Sequence, residues 1–408
     1  MTLAAGAYGQ LRIGTEVTWN TAVAAGGTSR IVRRKTCDLS TKKESFQSAE
    51  MRSDFQYADM RHGLISSSGT LTAEPSPGAH ADLFAAVFRK VWATGATTGA
   101  LTDVVAAAPG TMTFTQTAGD YFTMGFKVGD VVRWTGWATT GVANNSRNYI
   151  ISALTAKIMT CVDPGSTTGT GGAKAAGDSV TCSATGKKLI VPSTAHTDKS
   201  FTVERWHSDV AQSMVFTGVK VGATSLKLTT GAMGDLSFAL MGSGYSNTTA
   251  AYFSAATAAS TTSVLAGSNG GMMISGSTIA YVRDLSVNLD PQMTPVGVIG
   301  SNAIQGILPG SVKVTGSITA LFQDAVMRDY FLNESTPSIV YYAMTGTSVT
   351  ADFIQICMPY VKFTSADIGD GPGVVPVVMG FQALLNPSGG VTTSSETTTI
   401  SMQDSLGA

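Results

Sequence analysis

Two short stretches place an imidazole and a carboxylate two residues apart: His80 and Asp82 in "AHADLF", and His207 and Asp209 in "RWHSDV". An imidazole oriented by a carboxylate is what acid–base or nucleophilic catalysis requires. At this spacing, however, the two groups share a side only in a strand and lie on different faces of a helix. The first pair falls in a helical pattern, so His80 is expected to be a polar surface residue, and His207 likewise. Cys37, Cys161, Cys182 and Cys357 stand far apart with no spacing suited to zinc, and read as reduced, buried thiols. The sequence has no Gly-rich phosphate loop followed by Lys-Ser/Thr. The basic run "SRIVRRKT" (Arg30, Arg33, Arg34, Lys35) could neutralise phosphates. Lacking stacking aromatics, it reads instead as an exposed edge or a subunit contact. These residues assemble no nucleophile, base and orienting group, so no catalytic residue, metal site or cofactor is expected.

Recognition chemistry is concentrated elsewhere. Residues 42–63 read "KKESFQSAEMRSDFQYADMRHG", crowding Lys42, Lys43, Glu44, Glu50, Arg52, Asp54, Asp59 and Arg61 among Phe46, Met51, Phe55, Tyr57 and Met60. The chain as a whole is only 13% charged. Interspersed charges of both signs fix register and exclude wrong partners, while exposed aromatics supply contact area, so the stretch points to self-association. A solvated loop would explain the charges but not the aromatics.

The elements around it follow from composition and period. The 408 residues, 43% hydrophobic, suffice for two or three packed domains. Net charge is −1, which gives no global attraction to nucleic acid or anionic membranes. No apolar run approaches the roughly 20 residues of a spanning helix, and no basic flank precedes an apolar core at the start, so a soluble, cytoplasmically made protein with no membrane partner is expected. Asn144, Asn247 and Asn333 match N-x-S/T at a frequency this Ser/Thr content explains.

The chain repeats itself. "GTLTA" at 69–73 returns as "GSITA" at 316–320, "DLS" at 38–40 returns at 284–286, and "DLF" at 82–84 returns as "DYF" at 329–331. Around each anchor the period is two: Ile65, Ser67, Gly69 and Leu71 share one face, with Ser66, Ser68, Thr70 and Thr72 opposite. In the second copy Val312, Val314 and Ile318 oppose Lys313, Thr315, Ser317 and Thr319. A helical stripe follows each strand, Leu83, Phe84, Val87, Phe88 and Val91 in the first copy and Phe322, Val326 and Tyr330 in the second. A third likeness, "GVKVGATSLKL" with "YVKFTSADIGD", leaves about a hundred extra residues inside the first copy. These residues hold short β-rich runs, a linker-like "GSTTGTGGAKAAGD", and Trp134 and Trp137, which read as core rather than as a sugar platform. The expected organisation is 1–93, first unit; 94–197, inserted small β-barrel or sandwich; 198–248, remainder of the first unit; 249–279, connector; 280–390, second unit; 391–408, C-terminal segment. The fold class is mainly β with few helices.

"LRIGTEVTWNTA" followed by "KKESFQSAEMRSDFQYADMRHGLISSSGTLTAEPSPGAHADLF" resembles the major tail tube proteins of long-tailed, non-contractile (siphovirus-type) bacteriophages, as do "FTVERWHSD" and "KVGDVVRWTG". The likeness is strongest over 11–88 and weaker over 201–385. It implies a duplicated tail-tube fold, β-sandwich or half-barrel units each with a flanking helix, assembling into stacked rings around a β-barrel bore. Ser66, Ser68, Thr70, Thr72, Lys313, Thr315, Ser317 and Thr319 would line that lumen. Glu44, Phe46, Glu50, Arg52, Asp54, Phe55, Tyr57, Asp59 and Arg61 would form the loop that reaches a neighbouring ring. The implied partners are further copies of the chain, a tape-measure protein, tail terminator and distal tail proteins, and double-stranded DNA passing without specific binding. The implied location is the virion tail, assembled in the host cytoplasm. If a single-unit protein closes six-fold, two units per chain imply a homotrimeric ring. Head decoration, tail-tip and contractile-system tube proteins remain alternatives, as does, more remotely, an extracellular carbohydrate-binding or hydrolytic β-protein.

Overall fold

The small-polar and apolar alternation of "GLISSSGTLTA" can bury only one face, and it forms a strand. In a computed structural model describing residues 3–107, 111–164, 171–279, 281–323, 325–370 and 372–407, Ser67, Leu71 and Ala73 are buried while Ser66, Ser68, Thr70 and Thr72 lie on the more open face. The same pattern at Lys313–Leu321 buries Val314, Ile318 and Ala320.

Eight strands build one antiparallel run. They are β1 (Ser40–Gln47), β2 (Met60–Ala73), β3 (Gln212–Thr229), β4 (Asp235–Gly242), β5 (Val282–Asp290), β6 (Lys313–Leu321), β7 (Val361–Phe363) and β8 (Pro376–Ala383). Their order is β1-β2-β4-β3-β5-β6-β8-β7, with Asp367–Ile368 continuing β7 along β8. The first four and last four strands are alike to the residue. Gly69 opposite Leu240 matches Gly316 opposite Phe381, and Leu226 opposite Leu236 matches Ile368 opposite Val377. The two halves join head to tail through β3 and β5, Thr224 facing Leu289 and Thr229 facing Asp284.

One sequence anchor slips. The repeated "DLS" would equate Asp38 with Asp284, whereas pairing equates Thr36, opposite Thr72, with Asp284, opposite Thr319. A two-residue slip leaves every side chain on its face, which is why the strand pattern survives it. The glycines of the other anchor have a steric cause. A Cβ at Gly69 would stand 2.4 Å from the Leu39 backbone, and one at Gly316 would stand 2.2 Å from the Ser286 carbonyl and 2.4 Å from the Phe381 ring.

A second sheet backs each half. Gly9–Thr15, Phe201–His207, the start of β3 and Gly244–Thr248 pair behind the first. Behind the second lie Gly270–Ile274, Ile339–Met344, Phe353–Met358, Ser401–Asp404, Lys187–Ile190 and Ala93–Thr94. The strands Gly270–Ile274 and Ser277–Ile279 thus fall within the stretch read as a connector. β3 belongs to both sheets of the first unit, bending at a bulge between Val221 and Thr224. One core runs through all of this, with Leu11, Phe201 and Phe216 meeting Leu71, Phe238 and Leu240.

The helices differ from expectation. Helix α1 (Ala81–Phe88) buries Leu83, Phe84, Val87 and Phe88, but Val91 is exposed because Arg89 turns left-handed (φ 53°) and ends the helix. Helix α2 (Val326–Leu332) has no buried residue. Phe322 and Val326 are exposed, and the helix meets the core through the half-buried Met327, Tyr330 and Phe331, the Tyr330 ring centroid lying 6.2 Å from that of Phe363.

The insert forms a six-stranded sheet from strands between Val105 and Ala184, around Phe114, Trp134, Tyr149 and Trp137, all buried. The first residues of its linker-like loop, 165–170, lie outside the described residues. Although it interrupts the first unit, it packs on the second. Val131 and Ile150 meet Met273, Val340, Tyr342, Phe353 and Cys357, and the Gln403 amide bonds the Val131 backbone at both ends. Covered on both faces, the strands Ile339–Met344 and Phe353–Met358 are buried at every position.

Candidate assembly surfaces

The residues that could have carried catalysis are absorbed by the core. His80 is 1% exposed, not a surface residue. It caps the start of α1, its Nε2 is 3.0 Å from the Arg33 carbonyl, its ring lies 6.0 Å from Phe238, and burial lowers its pKa to about 4. His207 is half-buried, and Asp209 accepts from the Ala5 backbone instead. All four cysteines are free and buried, and burial pushes each thiol up. The three arginines of the basic run are spent on partners within the chain, and Lys35 stays exposed. Arg30 pairs with Asp82, Arg33 donates to Ser76 and to the Thr262 carbonyl, Arg34 donates to the Gly9 carbonyl, and Lys35 pairs with Asp235. Among the described residues no cluster of metal-ligating side chains forms, and no helix is long and apolar enough to cross a membrane.

The open face of the eight-stranded run is mostly polar, with Ala239, Met241 and the exposed Val378 set among its hydroxyls. Ser66, Ser68, Thr70 and Thr72 on β2 and Lys313, Thr315, Ser317 and Thr319 on β6 lie on it, as the period of two predicts. Hydroxyls pair across strands, Thr36 with Thr72 at 2.6 Å and Ser286 with Ser317 at 2.8 Å. The hydroxyl pattern alone missed the charges of the neighbouring strands, Lys42, Lys227, Asp235, Asp284 and Asp290. For Asp284 and Asp290 the signal was present in the alternation of "RDLSVNLD". The mixture of signs leaves the face without a cationic stripe that would hold phosphates.

The β1–β2 hairpin stands away from this sheet. Met51 and Phe55 are 101% and 98% exposed, and Phe46, Tyr57 and Met60 are exposed as well. Its charges are partly satisfied locally: Arg52 bonds Asp54, holding that carboxyl below its usual range, and Arg61 bonds Asp59. Glu44 and Phe46 line a groove closed on its other side by Gly297–Asn302. The hairpin thus presents exposed aromatics beside locally paired charges.

The insert is held by a buried charge cluster. Lys188 Nζ donates to Asp130 at 2.5 Å and to Glu396 at 3.0 Å, so it remains a cation although burial alone would neutralise it. Lys127 Nζ donates to three carbonyls of the segment 390–393.

A family model described as phage tail tube protein matches residues 6–383 of this chain. No curated protein matches it.

Proposed function

Because the chain belongs to the phage tail tube protein family, we propose that three copies close into a ring and that such rings stack into the tube of a siphovirus-type tail. The observation that carries this reading is the β3·β5 seam. It joins two equivalent four-stranded sheets head to tail, and a head-to-tail contact that repeats by rotation generates a ring. Among the described residues the run ends in two edges without a further strand partner, β1 and β7 with its continuation. An exposed edge invites pairing, and barrel closure removes it.

The internal seam supplies a template for how the edges would meet. Thr224 faces Leu289 and Leu226 faces Val287 within the chain. By equivalence Ala366 would lie opposite Thr41, and Ile368 opposite Leu39, of the next copy. On this reading the hydroxyl face with its balanced charges lines the bore, letting DNA and a tape-measure protein pass without being held. Tail terminator and distal proteins would cap the stack. The charged hairpin tip, Glu50 to Asp54, would set register against the next ring. The insert and the second unit's outer sheet would form the exterior, and the domain division expected from sequence is redrawn so that 93–94, 187–190, 270–279 and 401–404 go with the second unit's outer sheet.

Electron microscopy of the purified protein at high concentration tests this. Stacked rings with three outer lobes around a near-six-fold bore are expected. Six outer lobes would overturn the trimer, and particles without tubes would overturn the assembly.

A further inference from the structure

The chain contains two structurally equivalent hairpins, and one of them is already docked. Phe46 opposite Arg61 in the β1–β2 hairpin corresponds to Thr294 opposite Leu308 between β5 and β6. The second hairpin turns back over the end of the first unit. There Lys220 Nζ donates to the Ile307 carbonyl at 2.9 Å, Ser243 Oγ to the Ile304 carbonyl at 2.7 Å, and the Ile65 N–H to the Asn302 carbonyl at 2.7 Å. Ile304 and Ile307 are buried as a result, at 5% and 1% exposure. The residues in their places on the first hairpin are Tyr57 and Met60, which are 73% and 56% exposed.

The second unit carries a matching seat that is more open among the described residues. Lys220 opposite Met241 corresponds to Lys362 opposite Gln382. The Lys220 side chain is 10% exposed and that of Lys362 45%, its ion pair with Glu334 stretched to 3.8 Å. Ser243 and Gly244 correspond to Leu384 and Leu385, so the seat is more apolar here, and Leu385 is exposed. An apolar seat suits Tyr57 and Met60, and Asp59 adds a charge opposite to Lys362.

We propose that the first hairpin docks on the second unit of the neighbouring copy of this chain within the same ring. Tyr57 and Met60 settle on Leu384 and Leu385, and Lys362 donates to the Met60 carbonyl. The inference rests on the ring reading above. It assigns residues 55–61 to the neighbour in the ring and leaves the tip to project beyond it. Each ring seam then has two layers, strand pairing and a hairpin strap across it.

The test is a chain carrying Met60→Cys and Lys362→Cys, assembled into tubes, treated with a short bis-maleimide and run on a denaturing gel. The native thiols are all buried, and the unsubstituted chain controls for them. The expected covalent ladder stops at the number of copies counted in end-on rings. A ladder that continues past that number means the hairpin crosses between rings and overturns the proposal, as do tubes that yield no ladder. Absence of tubes from the unsubstituted chain instead refutes the ring reading. In parallel, the double variant Tyr57→Ala, Met60→Ala should leave the melting of the free subunit unchanged. It should raise the concentration needed for assembly roughly a hundredfold. An unchanged concentration overturns the proposal.

Discussion

Replacing Ile368 by proline probes the free edge of the sheet at one atom. Gly369 donates its N–H inward to the Pro376 carbonyl at 2.9 Å. Antiparallel alternation therefore turns the Ile368 N–H outward, to where the next copy's Leu39 would pair with it. Proline removes that donor and leaves the inward bonds in place, and edge strands tolerate it. One lost hydrogen bond costs about 1 kcal/mol, so three seams lose about 3 kcal/mol. Because free concentration enters a trimer equilibrium squared, the concentration for half assembly should rise roughly tenfold. Sedimentation velocity across a dilution series measures this, with denaturant unfolding of the free subunit as the control. A variant that folds normally and assembles at the parent concentration would show that β7 and β1 do not form the seam.

Two further outcomes concern the subunit itself. His80 is neutral in the fold with a pKa of about 4, while the unfolded chain takes up a proton near pH 6.5, so stability should fall as pH drops between these values, by about 3 kcal/mol in all. Urea unfolding at pH 7.5 and 4.5 should show that loss in the parent and a smaller one in His80→Gln; equal losses would remove His80 as the cause. At Gly316, alanine must displace the Phe381 ring or the Ser286 backbone. Its unfolding free energy should be lower by about 2 kcal/mol in the same assay, and no change would mean the sheet relaxes freely there.

The local period was legible in the sequence, and the long-range contacts were not. Alternation assigned both faces of β2 and β6 because a strand with one wet face leaves a period of two. The α1 stripe was readable to Phe88 but not its end, since Arg89 takes the left-handed turn that Gly or Asn usually signals. His80 was misplaced because its burial depends on Phe238 and Arg33, far along the chain. The same holds for the arginines, whose partners Asp82, Ser76 and Thr262 are invisible to local pattern. The docking of the insert on the second unit was equally hidden. The hairpin stood out by its composition, whereas the proposed seat depends on comparing Lys362 with Lys220, which the sequence alone does not align.

The β3·β5 junction has an arithmetic consequence. A seam made inside one polypeptide forms at the effective concentration of a tether and cannot be left out, so in the proposed ring units would join the wall only in twos. A wall recruited in twos has even parity. In that ring, closures with five or seven units would be forbidden by the connectivity of the chain, whatever the curvature of the individual sheet would allow.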